Sequence, residues 1–201
     1  MTTWLQTLDS YPIHMAREVA ALLPSATLDG YKRFLNMMFH YTLQSQSRLH
    51  HASLAATDPI ISTFLQELAH DEAHHYKLAL ADLAQFNLKP TSDTPAEVLA
   101  FEKTWADLPT EDAAAHLGAL VSLEGVGDHI GPDAVAFLKR LGLGKPHARF
   151  ILVHLEADVE HGGLARAHAE HVGAQHSALV LRGAHDAAQA WISMHRCLLD
   201  P

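Results

Sequence analysis

The stretch FILVHLEADVEHGGLARAH, Phe150 to His168, sets the fold and points to the chemistry. Its spacing is helical. His154, Asp158 and His161 stand four and then three residues apart, which places them on one face within an arc of roughly 60°. They span roughly 10 Å along the axis at about 1.5 Å per residue. Phe150 or Ile151, Ala165 and His168 continue the same stripe. Ligand-type side chains therefore occupy the stripe that should turn inward, where an unpaired Asp is costly. Imidazole and carboxylate together suit iron, zinc or manganese. A polar face in a His-rich chain is the plainer alternative.

Working outward, the rest of the chain is helical too. Ala and Leu dominate, a 3.6-residue period runs almost throughout, and β-branched residues nowhere alternate cleanly. The 201 residues, 48% of them hydrophobic, suffice for a full core. The expectation is a single all-α domain over residues 1–201, a bundle of about seven helices. A first helix is expected near Tyr11–Leu23 and a long one from Leu28 to Ala56. Another should run from Pro59 to Phe86, capped by Asp58. Shorter helices follow at Pro95–Ala106, from Thr110 to Gly125 or Gly127, and at Asp133–Leu141 after a break at Ile130-Gly131-Pro132. The helix opened by Pro146 reaches His171, and the last covers Ser177–Leu199.

Charge and cysteine usage narrow the function. The formal net charge is −9 with only 14 Lys plus Arg, so nucleic acid and anionic membrane surfaces are poor partners. One cysteine, Cys197, rules out a disulfide framework or a Cys-rich metal site within the chain. Any metal must be held by His and carboxylates, and the 17 histidines are the one abnormal count. The N-terminal MTTWLQTLDSYPIHM lacks the basic start and apolar run of a signal peptide, and no stretch is apolar for 18 residues. A cytoplasmic location is the expectation. A homodimer would suit the low surface charge, although no interface signature stands out.

A metal site in a bundle needs inward donors from several facing helices. The helix from Pro59 contains ELAHDEAHH, residues 67–75. Glu67 and His74 are two turns apart and share a face with His70 and Asp71, whereas Glu72 and His75 lie on another. That density of candidates leaves the register open. In the helix from Thr110, Glu124 follows Leu117, Leu120 and Val121 at core spacing, where a Glu needs a partner. Six groups then converge: Glu67, His74, Glu124, His154, Asp158 and His161. Three carboxylates against three imidazoles suit two first-row metals rather than one.

Two architectures use such a set. A ferritin-like bundle takes two lone Glu residues and two Glu-x-x-His pairs. Glu67-x-x-His70 and Asp158-x-x-His161 could imitate the pairs and Glu124 one lone Glu. The other is missing, because no carboxylate lies between Asp29 and Asp58. The order Glu-x6-His, lone Glu, His-x3-Asp-x2-His instead resembles the heme-oxygenase-like diiron oxidases and oxygenases, with all six positions filled. The resemblance implies a heme-oxygenase-like helical fold and a non-heme site for two Fe ions, or a Mn/Fe pair. It also implies O2 as co-substrate and a small-molecule substrate oxidised by N-oxygenation, desaturation or oxidative C–C cleavage. Tyr41, Gln44 and Arg48, on one face of the long early helix, are candidate substrate contacts, or else a packing stripe. A heme-binding protein and a non-catalytic helical interaction protein are the competing readings. The first needs one axial His opposite open space; the second makes the motifs polar core networks. A thiaminase-type reading of the same general fold would want a nucleophilic Cys in the cavity.

Overall fold

Helices begin where a short polar side chain can take up the first free amides. Thr27 accepts from the Gly30 amide at 3.0 Å, and Asp58 accepts from that of Ile60 at 2.8 Å with Pro59 in the first turn. The computed structural model describes residues 3–199, with side chains throughout except at 157–159. Among the described residues there are ten α-helical segments, a few single 3₁₀ turns and no strand. The helices are α1 (Thr3–Ala20), α2 (Leu28–Leu43), α3 (Ser45–Ala55), α4 (Pro59–Glu72) and α5 (Tyr76–Gln85). They continue as α6 (Ala96–Ala106), α7 (Ala114–Gly125), α8 (Gly127–Arg140), α9 (Arg149–His171) and α10 (Ser177–His195). None is long and apolar enough to cross a membrane.

Two of the ten arise because expected rods are interrupted. The helix expected over 28–56 breaks at Gln44. There the Tyr41 carbonyl accepts from the Arg48 guanidinium at 2.9 Å, and the Thr42 hydroxyl donates back to the Met38 carbonyl at 2.7 Å. Back-bonding of this kind bends helices. The rod expected from Pro59 to Phe86 breaks at 73–75. Its amides there bond three residues back, as His75 N–H does to Glu72 O and Lys77 N–H to His74 O. Conversely, α8 runs through the expected break, with Pro132 inside it. The carbonyl that loses its donor belongs to Asp128, an exposed residue.

The α7 helix is the axis of the bundle: ten of its twelve residues are buried, so it is apolar on every side, as a central helix must be. It packs against α10, α9 and α1. The contact with α10 is close because glycines face backbone on both sides. A Cβ on Gly118 would stand 1.8 Å from the Val180 carbonyl oxygen, and one on Gly183 1.7 Å from that of Ala115. The α9 helix approaches from the other side through Gly162, whose Cβ would lie 3.0 Å from the Glu124 carbonyl oxygen.

The start of α9 is fastened from outside. Its own N-cap residue, Ala148, offers no side-chain bond. Asp82, on α5 and fully buried, instead accepts from the Phe150 amide at 2.8 Å. The Tyr31 hydroxyl donates to the His147 carbonyl at 2.7 Å. Burial pushes the Asp82 carboxyl above its usual range, and the amides of Phe150 and Arg149 pull it partly back. Asp82→Ala leaves a buried amide without an acceptor, so the folded state should lose about 1–3 kcal/mol. Asp82→Asn, which keeps one carbonyl oxygen, should lose less; urea denaturation midpoints at constant slope measure both.

Candidate metal centre

The apolar stripe of α4 is Ile61, Phe64, Leu65, Leu68 and Ala69. Extended by one turn from Leu68 it reaches Glu72, which is buried at 7% exposure. The three-residue turn that follows aligns positions i and i+3, so His75 comes round to the same side. The Oε1 of Glu72 lies 2.7 Å from Nδ1 of His75. From α7, Glu124 reaches inward; from α9 come His154 and His161, two turns apart. Nδ1 of His161 is 3.5 Å from Oε2 of Glu124, and the rings of His75 and His154 meet edge to face at 4.8 Å between centroids.

These five side chains form two triads, Glu72–His75–His154 and Glu72–Glu124–His161. In each triad one ligand atom per residue lies within 4.8 Å of the others. Glu72 is common to both. The donor set fits a pair of first-row cations. The Nδ1 atoms of His75 and His161 are buried without a correctly angled hydrogen bond, despite the nearby carboxylates. A buried nitrogen in that condition calls for an ion or a water. In His154 the Nδ1 lies 2.7 Å from the Phe150 carbonyl. That contact makes Nδ1 the protonated nitrogen and leaves Nε2 its lone pair, the usual arrangement of a ligating imidazole.

Without a cation the groups compensate one another. Burial opposes ionisation of Glu72, but His75, aided by His154 and His161, outweighs it and holds the carboxyl below its ordinary range. Burial and the neighbouring Glu72 raise Glu124, against the pull of His161. Glu124 raises His161, burial lowers His154, and in His75 the pull of Glu72 overcomes burial.

The structure brings together three of the six expected ligands, Glu124, His154 and His161. It places Glu67 and His74 on the exposed face of their rod; Glu72 and His75 stand in the cluster instead. The reason is the stripe: Glu67 lies between buried Phe64 and Leu68 on the side away from the core, and the tight turn at 73–75 carries His75, not His74, inward. Following the apolar positions of α4 forward reaches Glu72, whereas the placing of His75 depends on the turn. The side chain of Asp158 lies outside the described residues. Of the candidate substrate contacts, Tyr41 and Arg48 border an internal cavity, whereas Gln44 sits exposed at the break between α2 and α3.

That cavity, about 150 Å³, opens beside Glu72, Glu124 and His154. Its walls are otherwise mainly apolar, with Phe34, Met38, Leu120, Ile130 and Phe150 among them. Arg48 in the wall is engaged already, donating to Glu102, to the Ser45 hydroxyl and to the Tyr41 carbonyl. Burial raises the Tyr41 phenol well above its ordinary value, and Glu124 and Glu72 add to the shift against Arg48. Cys197 is buried and is not among the residues lining the cavity, so it offers no nucleophile there.

Two further histidines, His116 and His195, are buried, and burial pushes each from 6.5 down to about 4. In the unfolded chain they take up protons near pH 6.5, whereas in the folded chain they do so only near pH 4. Stability contributed by keeping them neutral is complete above about pH 6.5 and is lost as pH falls through that window, by up to about 3 kcal/mol each. The melting temperature should therefore be level near pH 7 and fall toward pH 4.5, with a shallower fall in His116→Gln.

Comparison with known proteins bears on the same features. The solved structure of a domain of unknown function with a heme oxygenase-like fold, from Shewanella denitrificans OS217, superposes with a TM-score of 0.80. It is 17% identical, over 96% of this chain and 88% of that one. A TenA homologue protein from P. horikoshii OT3 superposes with a TM-score of 0.78 at 16% identity, over 98% of this chain and 99% of that one. Likeness at such low identity shows the fold alone, and the fold is heme oxygenase-like. No curated protein sequence matches. The family model for iron-containing redox enzymes matches residues 32–192, a span that includes all five side chains of the cluster. The chain belongs to that iron-containing redox enzyme family.

Proposed function

We propose that the protein is an O2-dependent non-heme oxidase or oxygenase that holds two iron ions, or a manganese–iron pair, and oxidises a small molecule in the adjoining cavity. The observation that carries this reading is the pair of triads sharing Glu72 at the wall of an apolar cavity. Glu72 would be common to both ions, with His75 and His154 completing one site and Glu124 and His161 the other. Iron, when bound, supplies the one-electron chemistry that O2 needs and that amino-acid side chains lack. The chain's own contribution is placement and exclusion. The Phe150 carbonyl fixes the orientation of His154, the apolar wall limits water, and the Tyr41 hydroxyl stands near the carboxylates as a buried proton donor.

Family membership supports iron, and the cavity supports a small substrate. A space of about 150 Å³ takes roughly a single benzene-sized molecule, and a porphyrin would require the bundle to open. The test is anaerobic loading with ferrous iron followed by exposure to O2. Iron-dependent O2 uptake is expected in the wild type and should be lost in Glu124→Ala. Uptake that is the same with and without iron, or unchanged in the variant, sinks the proposal.

A further inference from the structure

A row of rings leads away from the cluster along the cavity wall. The Phe150 ring lies 4.1 Å from that of His154, Phe34 lies 6.0 Å from Phe150, and His195 lies 5.5 Å from Phe34. All four residues border the cavity. His195, in the last turn of α10, is 4% exposed, with its ring 3.7 Å from that of Trp191. Its Nδ1 is 2.9 Å from the Trp191 carbonyl oxygen. A ring nitrogen facing a carbonyl must carry the proton, so the tautomer is set and Nε2 is left as an acceptor.

Among the described residues Nε2 has no hydrogen-bond partner. Nor is it sealed in by protein, as Nδ1 of His116 and of His147 are; the open space that His195 borders is the cavity. Of the other polar groups on this wall, Trp105 Nε1 is a donor sealed in without a partner and cannot accept. The Thr42 hydroxyl donates to the Met38 carbonyl and Ser45 accepts from Arg48, while Tyr41 belongs with the carboxylates at the cluster end. A buried acceptor facing an apolar space costs about 1–3 kcal/mol unless something donates to it.

We propose that His195 is the specificity-determining acceptor of the cavity. The substrate is then a small, mostly apolar molecule of about one aromatic ring with a single O–H or N–H donor. That donor bonds Nε2 and turns the opposite end of the molecule toward Glu72 and Glu124. Burial keeps the imidazole neutral at ordinary pH, so His195 selects a neutral donor, and the Arg48 guanidinium in the wall is already paired with Glu102. This assignment rests on the cavity being the substrate site proposed above. It does not require iron, so it can fail while the metal reading stands, and the reverse.

The test uses the full-length, iron-free protein and two probes of equal size, phenol and toluene, titrated by calorimetry. His195→Leu should weaken phenol about tenfold, the effect of one hydrogen bond of about 1.4 kcal/mol, and leave toluene within about twofold. His195→Gln, which keeps an acceptor oxygen, should recover part of the loss. In the wild type, phenol but not toluene should shift the ¹⁵N resonance of His195 Nε2, a readout that needs no variant to fold. Equal loss of both probes, phenol binding unchanged in His195→Leu, or a wild type that binds neither probe overturns the assignment.

Discussion

Glu72→Ala should abolish tight iron binding, and Glu67→Ala should leave it unchanged. Glu72 is the only member common to both triads, so its loss removes a donor from each site at once. Altering groups that merely orient a metal ligand costs roughly 10–100-fold in affinity; removal of a shared ligand should cost at least about 100-fold. Iron per chain after desalting, about two in the wild type, should fall below one. In the iron-free state His75, His154 and His161 outweigh burial and hold the Glu72 carboxyl below its ordinary range, so the variant loses their compensating charge and should melt somewhat below the wild type. The rise in melting temperature on adding iron should vanish. His74→Ala is the matching control for His75→Ala. If iron follows Glu67 and His74 instead, α4 turns its other face to the core and the cluster falls with it.

The outcome separates two registers that ELAHDEAHH alone leaves open. Much of the site was legible. Glu124 follows Leu117, Leu120 and Val121 at core spacing, and His154 and His161 share one face; both inferences depend only on helical geometry. The register of α4 was not. Six candidate donors lie within nine residues there, and a two-turn spacing picks out Glu67 and His74 as readily as an apolar stripe picks out Glu72. What decides is the tightened turn at 73–75, and no glycine or proline in that stretch announces it. The break at Gln44 was hidden for a similar reason: it depends on Arg48 taking a backbone carbonyl, a contact that local propensity does not encode. Pro132 misleads in the opposite sense, because an exposed carbonyl can go to water and the helix continues. The trans cap from Asp82 joins residues 68 positions apart and has no local signature at all.

The largest stability effect is expected at the crossing of α7 and α10. Gly183→Ala puts a methyl group 1.7 Å from the Ala115 carbonyl oxygen, and Gly118→Ala puts one 1.8 Å from that of Val180. The obstacle in each case is backbone in the middle of a helix, which cannot rotate aside like a side chain. The helices must separate, opening the densest part of the core. A loss of about 3 kcal/mol or more is expected from either substitution, equivalent to roughly 6–12 °C in melting temperature for a chain of this size. Gly163→Ala is the control. Nothing lies within 4 Å of its Cβ position, and alanine is the better helix former by roughly 0.5–1 kcal/mol, so that variant should be slightly more stable. Calorimetric melting of the three proteins measures the contrast. Because Glu124 sits at the end of α7, the first two variants should also lose iron, and a Gly183→Ala protein that keeps both its melting temperature and its metal would refute the account of this crossing.

The fastening of α9 by Asp82 and Tyr31 has a consequence for how this scaffold can vary. Since the ligand-bearing rod takes its starting point from two neighbouring helices, the surface connection leading up to it need not measure out its position. Residues 142–146 can be shortened, lengthened or exchanged without moving His154, as long as a main-chain carbonyl still meets the phenol and an amide still meets the carboxylate. The freedom to diversify therefore sits in that outer loop, and the constraint in two side chains far from it along the chain.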